Sequence, residues 1–218
     1  MCYNMGEVND VLKTYLLKNF GFNEPIFSTE LNIEGISPTA LRQNLKRLVD
    51  SGFLSRFDQG IYFIPKNGLL LDNAYLDPMQ VVIRKYISDG KDTYGYITGA
   101  SFANELGLST QMPAVVDIVS NKEATNGRVV KIGPQLVRIR KGVTYISKDN
   151  ADLLQILDCI AQCERYSELE SEKALEKIRK YIRDKKFTQR QLADVSKYIT
   201  GYTAKKLSEW GIIYAFAA

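Results

Sequence analysis

The spacing of apolar residues between positions 37 and 52 predicts a helix with one buried face. The apolar residues that share this face are Leu41, Leu45, Leu48 and Val49. Ser37 is suited to cap the start of the helix, and Pro38 can occupy its first position without losing a hydrogen bond. Gly52 can end the helix in a left-handed conformation.

The opposite face of this helix is polar and partly basic. It carries Thr39, Arg42, Gln43, Lys46 and Arg47. A helix that buries leucines on one side and presents Arg, Gln and Lys on the other fits the major groove of DNA. The pattern therefore predicts a recognition helix, and the predicted contact residues include Ser37 at its start.

The flanking segments complete a winged helix-turn-helix prediction. Apolar spacing before residue 20 indicates a first helix, and residues 28–31 resemble the capped start of a short second helix. After the recognition helix, residues 53–56 and 61–64 alternate like the two strands of a hairpin. Arg56 and Gln59 near its tip are placed to reach a phosphate or a minor groove. We therefore expect residues 1–66 to form a winged helix-turn-helix DNA-binding domain.

Residues 67–150 are expected to form a small α/β domain with an antiparallel sheet, after a break at Pro65-Lys66-Asn67-Gly68. Asp77-Pro78 can open one helix, and Thr98 or Gly99 can cap a second. Strands are predicted at 114–120, 128–132, 136–139 and 144–146, with turns at Asn126-Gly127 and Gly133-Pro134. The whole chain is thus expected to be α+β.

Residues 151–218 show helical periodicity. Leu153 and Leu157 mark one apolar stripe, and Ile178 and Ile182 mark a second. We expect this C-terminal region to be helical and to pack on the middle domain.

Composition indicates a globular protein with a mildly basic charge. The chain has 218 residues, 45% of them hydrophobic, and a formal net charge of +4. These values are compatible with nucleic-acid binding but do not establish it. The chain has no apolar run of membrane-spanning length, and Glu7 and Asp10 stand where a basic-then-apolar leader would lie. We therefore expect a cytoplasmic protein with no membrane partner.

The residue types argue against several classes of enzyme and metal site. The chain contains no histidine, which removes Ser-His-Asp and Cys-His catalysis and histidine-ligated zinc. Cys159 and Cys163 are spaced for one helix face, but two ligands do not make a structural zinc site. No Glu-x-Lys triplet occurs, and the Asp-x-Lys triplets at Asp89 and Asp184 lack the strand context of a nuclease. We expect no catalytic residue, no metal and no cofactor.

A second group of basic residues lies outside the first 66. Its members are Lys131, Arg138, Arg140, Lys141, Lys180, Arg183 and Lys186. Arg138 and Arg140 alternate with Val137 and Ile139, which places both arginines on one face of a strand. They can form a second nucleic-acid surface, or they can protect an exposed sheet from aggregation.

One stretch of the middle region resembles a known family. Residues 95–113 contain Tyr-x-Thr-Gly, Asn-x-Leu-Gly-Leu and Thr-Gln-x-Pro elements, and residues 60–65 read Gly-Ile-Tyr-Phe-Ile-Pro. Over about residues 1–150, these elements and their order resemble the AbiE-type (AbiEi) abortive-infection antitoxins and related winged-helix regulators. The resemblance implies a bacterial or archaeal antitoxin that represses its own operon by binding promoter repeats. It also implies that the protein counteracts a nucleotidyltransferase-like toxin without a stable complex.

The sequence thus predicts a non-enzymatic transcriptional regulator that binds double-stranded DNA and acts as the antitoxin of a toxin–antitoxin system. An interaction module that sequesters a partner protein is the alternative. The operator, the identity of the toxin and the oligomeric state stay open at this point.

Overall fold

The computed structural model describes residues 5–66 and 75–216, with side chains from residue 9 onward. The chain forms two compact units, Met1–Val81 and Val82–Ala218. Each unit combines helices with a small sheet, so the α+β prediction is confirmed at this level. The division into 1–66, 67–150 and 151–218 stays a prediction, and Asn67 and Gly68 of the predicted break lie outside the described residues.

Before Pro78, the described residues of the first unit form two helices and a three-stranded antiparallel sheet. Its elements are α1 (Met5–Asn19), β1 (Ile26–Phe27), α2 (Pro38–Asp50), β2 (Ser55–Asp58) and β3 (Ile61–Phe63). The strand order is β1-β3-β2, so the strand that precedes α2 pairs with the second strand of the hairpin that follows it. Helix α3 (Pro78–Tyr86) spans the boundary between the units.

Helix α2 begins and ends as its sequence predicts. The N–H of Ala40 donates to the hydroxyl of Ser37 over 3.2 Å, and Pro38 is the first helical residue. At the other end, Gly52 has a φ of +75°, a conformation that costs glycine little because it has no Cβ. The buried leucines of α2 join Leu12 and Leu16 of α1 in one apolar core.

The prediction of a short second helix at residues 28–31 was wrong. These residues form a turn in which the N–H of Glu30 donates to the carbonyl oxygen of Phe27. Strand β1 ends immediately before this turn, and the N–H of Ser28 donates to the carbonyl oxygen of Gly60. Ser28 therefore continues the strand contact instead of capping a helix.

The second unit packs helices against a four-stranded sheet. Its strands are β4 (Gly95–Thr98), β5 (Val115–Ser120), β6 (Arg128–Ile132) and β7 (Gln135–Arg140). Its helices after α3 are α4 (Gly99–Glu105), α5 (Ala151–Tyr166), α6 (Ser171–Asp184), α7 (Gln189–Val195) and α8 (Gly201–Glu209). Short 3₁₀ turns cover Ser196–Tyr198 and Ile212–Ala215.

The prediction of an antiparallel sheet was wrong for one pair of strands. The order is β4-β5-β7-β6, and β5 and β7 run parallel. The two residues Gly133 and Pro134 join β6 and β7 as expected, but this hairpin inserts β7 between β5 and β6. Asn126-Gly127 therefore does not connect neighbouring strands. Strand β4 was not predicted.

The prediction of a strand at residues 144–146 was also wrong. Both backbone groups of Ile146 bond to the side-chain amide of Asn121, with the N–H donating over 2.9 Å and the carbonyl accepting over 2.7 Å. A side chain thus takes the place of a neighbouring strand.

The C-terminal helices bury the apolar stripes that their sequences show. Leu153, Ile160, Ile178 and Ile182 are each no more than 1% exposed, and all four belong to the core of the second unit. Helix α5 contacts both α4 and β4, so the helices and the sheet share this core. In the described part of the chain, no helix combines the length and apolarity needed to cross a membrane.

Candidate nucleic-acid interface

Helix α2 separates its apolar and polar residues as predicted. Leu41, Leu45 and Leu48 are at most 8% exposed. Of the five predicted contact residues within α2, four are exposed, namely Thr39, Arg42, Gln43 and Lys46. Residues three and four apart on a helix are neighbours, so these side chains form one outward surface, which we call the α2 face.

Arg47 stands apart from the other predicted contact residues of α2 because it is half-buried and bonded along the helix. Its guanidinium donates to Asn44 Oδ1 over 3.4 Å, and Asn44 Nδ2 donates to the carbonyl oxygen of Ala40 over 2.8 Å. Asn44 is 4% exposed. This hydrogen-bonded chain orients Arg47 through Asn44, a residue that was not predicted to take part in the site. Its position in the sequence could have indicated this role, because Asn44 lies among the buried leucines of α2 and a buried polar side chain needs a hydrogen-bond partner.

Ser37 is exposed, but its hydroxyl already accepts the N–H of Ala40. Its first role is therefore to cap α2. A serine at this position stands beside the unpaired N–H groups of the first turn, which favour an anion such as a phosphate.

The tip of the β2–β3 hairpin carries Arg56 and Gln59, both exposed. Arg56 Nε donates to the carbonyl oxygen of Asp58 over 3.3 Å, and the carboxylate of Asp58 accepts the N–H of Gln59 over 2.6 Å. Asp58 thus shapes the tip and adds a negative charge beside Arg56. The N–H of Leu54 donates to the carbonyl oxygen of Leu48, which ties the start of the hairpin to the end of α2.

The second basic group lies on two different parts of the second unit. Lys131, Arg138, Arg140 and Lys141 belong to or follow the β6–β7 hairpin, whereas Lys180, Arg183 and Lys186 belong to or follow α6. Arg138 and Arg140 do share one face of β7, opposite the buried Val137 and Ile139. Each of the two strand arginines is paired with a carboxylate, and the five other residues are exposed.

Asp117 and Asp158 are the carboxylates that pair with these arginines. Arg138 Nη1 lies 3.0 Å from Asp117 Oδ1, and Arg140 Nη2 lies 2.5 Å from Asp158 Oδ2. The pairs lower the net positive charge of the sheet face. The parallel register of β5 and β7 places Asp117 opposite Arg138, which supplies its partner.

Comparison with protein families assigns the chain to one of them. The model of a family of unknown function, DUF6088, matches residues 24–190. The chain belongs to the DUF6088 family. In this family member the match begins just before β1 and ends within α7, so it contains α2, the hairpin and the whole four-stranded sheet. No curated protein sequence matches the chain.

Proposed function

We propose that this DUF6088 member is a DNA-binding transcriptional regulator whose α2 face enters the major groove. The observation that carries the proposal is the exposed set Thr39, Arg42, Gln43 and Lys46 on the side of α2 opposite its buried leucines. Arginine and glutamine can read base edges, and lysine can neutralise a phosphate. Arg56 and Gln59 of the hairpin are proposed to contact the backbone or the minor groove.

The arrangement of strands around α2 supports a winged helix. A strand precedes the helix, a hairpin follows it, and the first strand completes the sheet of the hairpin. The turn at residues 28–30 stands where a helix-turn-helix would have its second helix. In the proposed domain, β1 and the turn therefore support α2 in place of that helix.

The test compares two double variants for binding to the promoter DNA of the protein's own operon. Changing Arg42 and Lys46 together to Ala should weaken binding and reduce the slope of log affinity against log salt by about 1–2, since each lost phosphate contact removes about 0.9. Changing Lys18 and Lys66 together to Ala removes the same charge from exposed positions outside α2. Equal effects of the two changes would contradict a specific role for this face.

We further propose that the protein is an antitoxin of the AbiE type. The elements in residues 60–65 and 95–113 support this proposal, and it implies a bacterial, cytoplasmic protein that represses its own operon and counteracts a nucleotidyltransferase-like toxin. A reading frame for such a toxin beside the gene is expected. The Arg42→Ala/Lys46→Ala variant, produced from an unrelated promoter, should still protect cells from this toxin if neutralisation depends on the second unit. Loss of protection would assign neutralisation to DNA binding.

Sequestration of a partner protein is a second candidate function, because apolar side chains are exposed on the β6–β7 hairpin. Val129 is 54% exposed and Leu136 is 39% exposed, and both lie on the strand face that carries Arg138. Co-purification of the toxin with the chain, abolished by Val129→Asp but not by the α2 double variant, would favour this function.

The proposed function is not enzymatic. Asp117 is paired with Arg138, and the carboxylate of Asp89 accepts the N–H groups of Lys91 and Asp92 in a loop. These contacts give both acids structural roles. The purified protein with Mg²⁺ or Mn²⁺ should leave DNA, RNA and nucleotides intact, and a metal-dependent activity lost in Asp117→Asn would contradict the proposal.

A further inference from the structure

A polar pocket of about 180 Å³ opens in the second unit between the sheet and α5. Strands β4, β5 and β7 supply one side, and the last turns of α5 supply the other. The residues that line it are Thr98, Gly99, Asp117, Ile118, Asn126, Arg138, Arg140, Gln162, Arg165 and Tyr166. Three of these carry a positive charge and one carries a negative charge. Asp158, which is not among the lining residues, pairs with Arg140, so one net positive charge remains and favours an anion.

The arginines of the pocket retain hydrogen-bond donors. A guanidinium has five N–H donors, and Arg138 and Arg140 each direct one nitrogen at a carboxylate oxygen. Arg165 forms no ion pair with any residue in the described ranges, and its guanidinium carbon lies 5.4 Å from the centre of the Tyr166 ring. One arginine of the pocket is thus not neutralised.

Neutral polar groups line the same pocket without partners of their own. Within residues 5–66 and 75–216, the side chains of Asn126 and Gln162 form no hydrogen bond with another group. Gln162 is only half exposed, and it lies one turn before Tyr166 on α5. An amide in this position can donate to an oxygen of a bound anion.

The backbone also comes close to the carboxylate at the pocket wall. A Cβ at Gly99 would lie 2.8 Å from Asp117 Oδ2. Glycine at this position lets the start of α4 approach Asp117 while Asp117 stays paired with Arg138. The close approach of Gly99 and the ion pair with Arg138 therefore fix the position of Asp117 in this wall.

We propose that this pocket binds the phosphoryl group of a small phosphorylated molecule. Arginine is suited to phosphate because its planar fork can donate two parallel hydrogen bonds. The volume is smaller than the roughly 300–1,000 Å³ of sites for drug-sized ligands, so the pocket takes a phosphoryl group and little more of its carrier. This binding is independent of the α2 face.

Calorimetry on the full chain tests the proposal with four probes: inorganic phosphate, ribose 5-phosphate, AMP and adenosine. The phosphorylated probes and phosphate should bind and compete with one another, and adenosine should not bind. Tighter binding of ribose 5-phosphate or AMP than of phosphate would identify a phosphorylated metabolite as the source of the group. Equal affinities would identify free phosphate.

Two variants assign the binding to the pocket. Arg165→Gln should weaken binding of AMP by about tenfold or more, since it removes a charge-assisted hydrogen bond, and Arg138→Gln should act in the same direction. Arg190→Gln removes an exposed arginine of α7 that does not line the pocket, and it should leave the affinity unchanged. Circular dichroism verifies that each variant is folded.

Three results would overturn the proposal. The first is the absence of binding by every phosphorylated probe, and the second is binding of adenosine as tight as that of AMP. The third is binding that Arg165→Gln and Arg138→Gln leave unchanged. Binding of an RNA or DNA oligomer through Arg165, without binding of the small probes, would replace the pocket by an extended nucleic-acid surface.

Discussion

Arg140 on β7 is joined to Asp158 on α5 by an ion pair of 2.5 Å, and this contact ties the sheet to the helix above it. The same carboxylate accepts the hydroxyl of Tyr96 over 3.0 Å and that of Thr98 over 3.4 Å. Burial raises the pKa of Tyr96, and the charge of Asp158 raises it further. Both effects keep this tyrosine protonated as a donor.

Asp158→Asn should lower the free energy of unfolding by about 1–2 kcal/mol, because it removes the charge that pairs with a partly buried arginine. The two side chains are 32% and 25% exposed, which reduces the cost below that of a fully buried pair. Urea unfolding measures the change. Asp152→Asn is the matched control, since Asp152 pairs with Lys185 at exposed positions and its loss should cost less than about 0.5 kcal/mol.

Gly95→Ala should destabilise the second unit by about 3 kcal/mol or more, because there is no room for a methyl group. A Cβ at this position would lie 2.7 Å from the carbonyl oxygen of Val119, and closer still to that of Tyr86. Both neighbours are backbone atoms, so they cannot rotate away. Gly201→Ala is the control, since nothing lies within 4 Å of a Cβ there. Equal melting temperatures of the two variants would contradict this packing.

Cys159 and Cys163 should resist thiol reagents in the folded protein. Both are buried, and burial raises the pKa of the Cys159 thiol to about 12 and raises that of Cys163. Since the thiolate is the reactive form, a Cys2→Ser variant should react with an aromatic disulfide reagent at pH 8 only after urea is added. Rapid reaction of the native variant would show that these thiols are accessible.

Glu123 should make the stability depend on pH in the acid range. Hydrogen bonds from Thr125 and Arg128 lower the pKa of its carboxyl from 4.5 to about 2. A carboxyl with a lowered pKa stabilises the fold at pH values above 4.5, and this contribution is lost as the pH falls towards 2.

Comparison of the wild type with Glu123→Gln tests this dependence. The difference in unfolding free energy should be constant from pH 7 to about 4.5 and should shrink between about 4.5 and 2. Glu176→Gln, an exposed change on α6, should show no such trend. A difference that does not vary with pH would mean that the carboxylate charge is not what stabilises this loop.

The elements that sequence reasoning predicted well are those set by local periodicity. The stripe of Leu41, Leu45 and Leu48 predicts both the helix and the exposure of Arg42, because the period of a helix determines which residues share a face. The turn at residues 28–30 and the missing strand at Ile146 depend instead on partners far along the chain. No local pattern contains that information.

The candidate sites divide in the same way. The periodicity of one helix is enough to predict that the α2 face is exposed. The partner of Arg140 is Asp158, which lies 18 residues away on a different element, so no local pattern predicts this pair. Asn126-Gly127 indicated a hairpin between β5 and β6, and only the complete sheet shows that β7 lies between them. Arg165 was not predicted because the pocket it lines is assembled from separate strands and α5.

The insertion of β7 between β5 and β6 has a consequence for the order of folding. Its contacts with β6 are closed by a two-residue turn, whereas its parallel contacts with β5 join segments about 20 residues apart. Loop closure is faster for nearby segments, so the β6–β7 ribbon is expected to assemble first and then to dock as a unit on β5. In that sequence of events, the loop that Glu123 organises becomes ordered when β5 joins the β6–β7 ribbon.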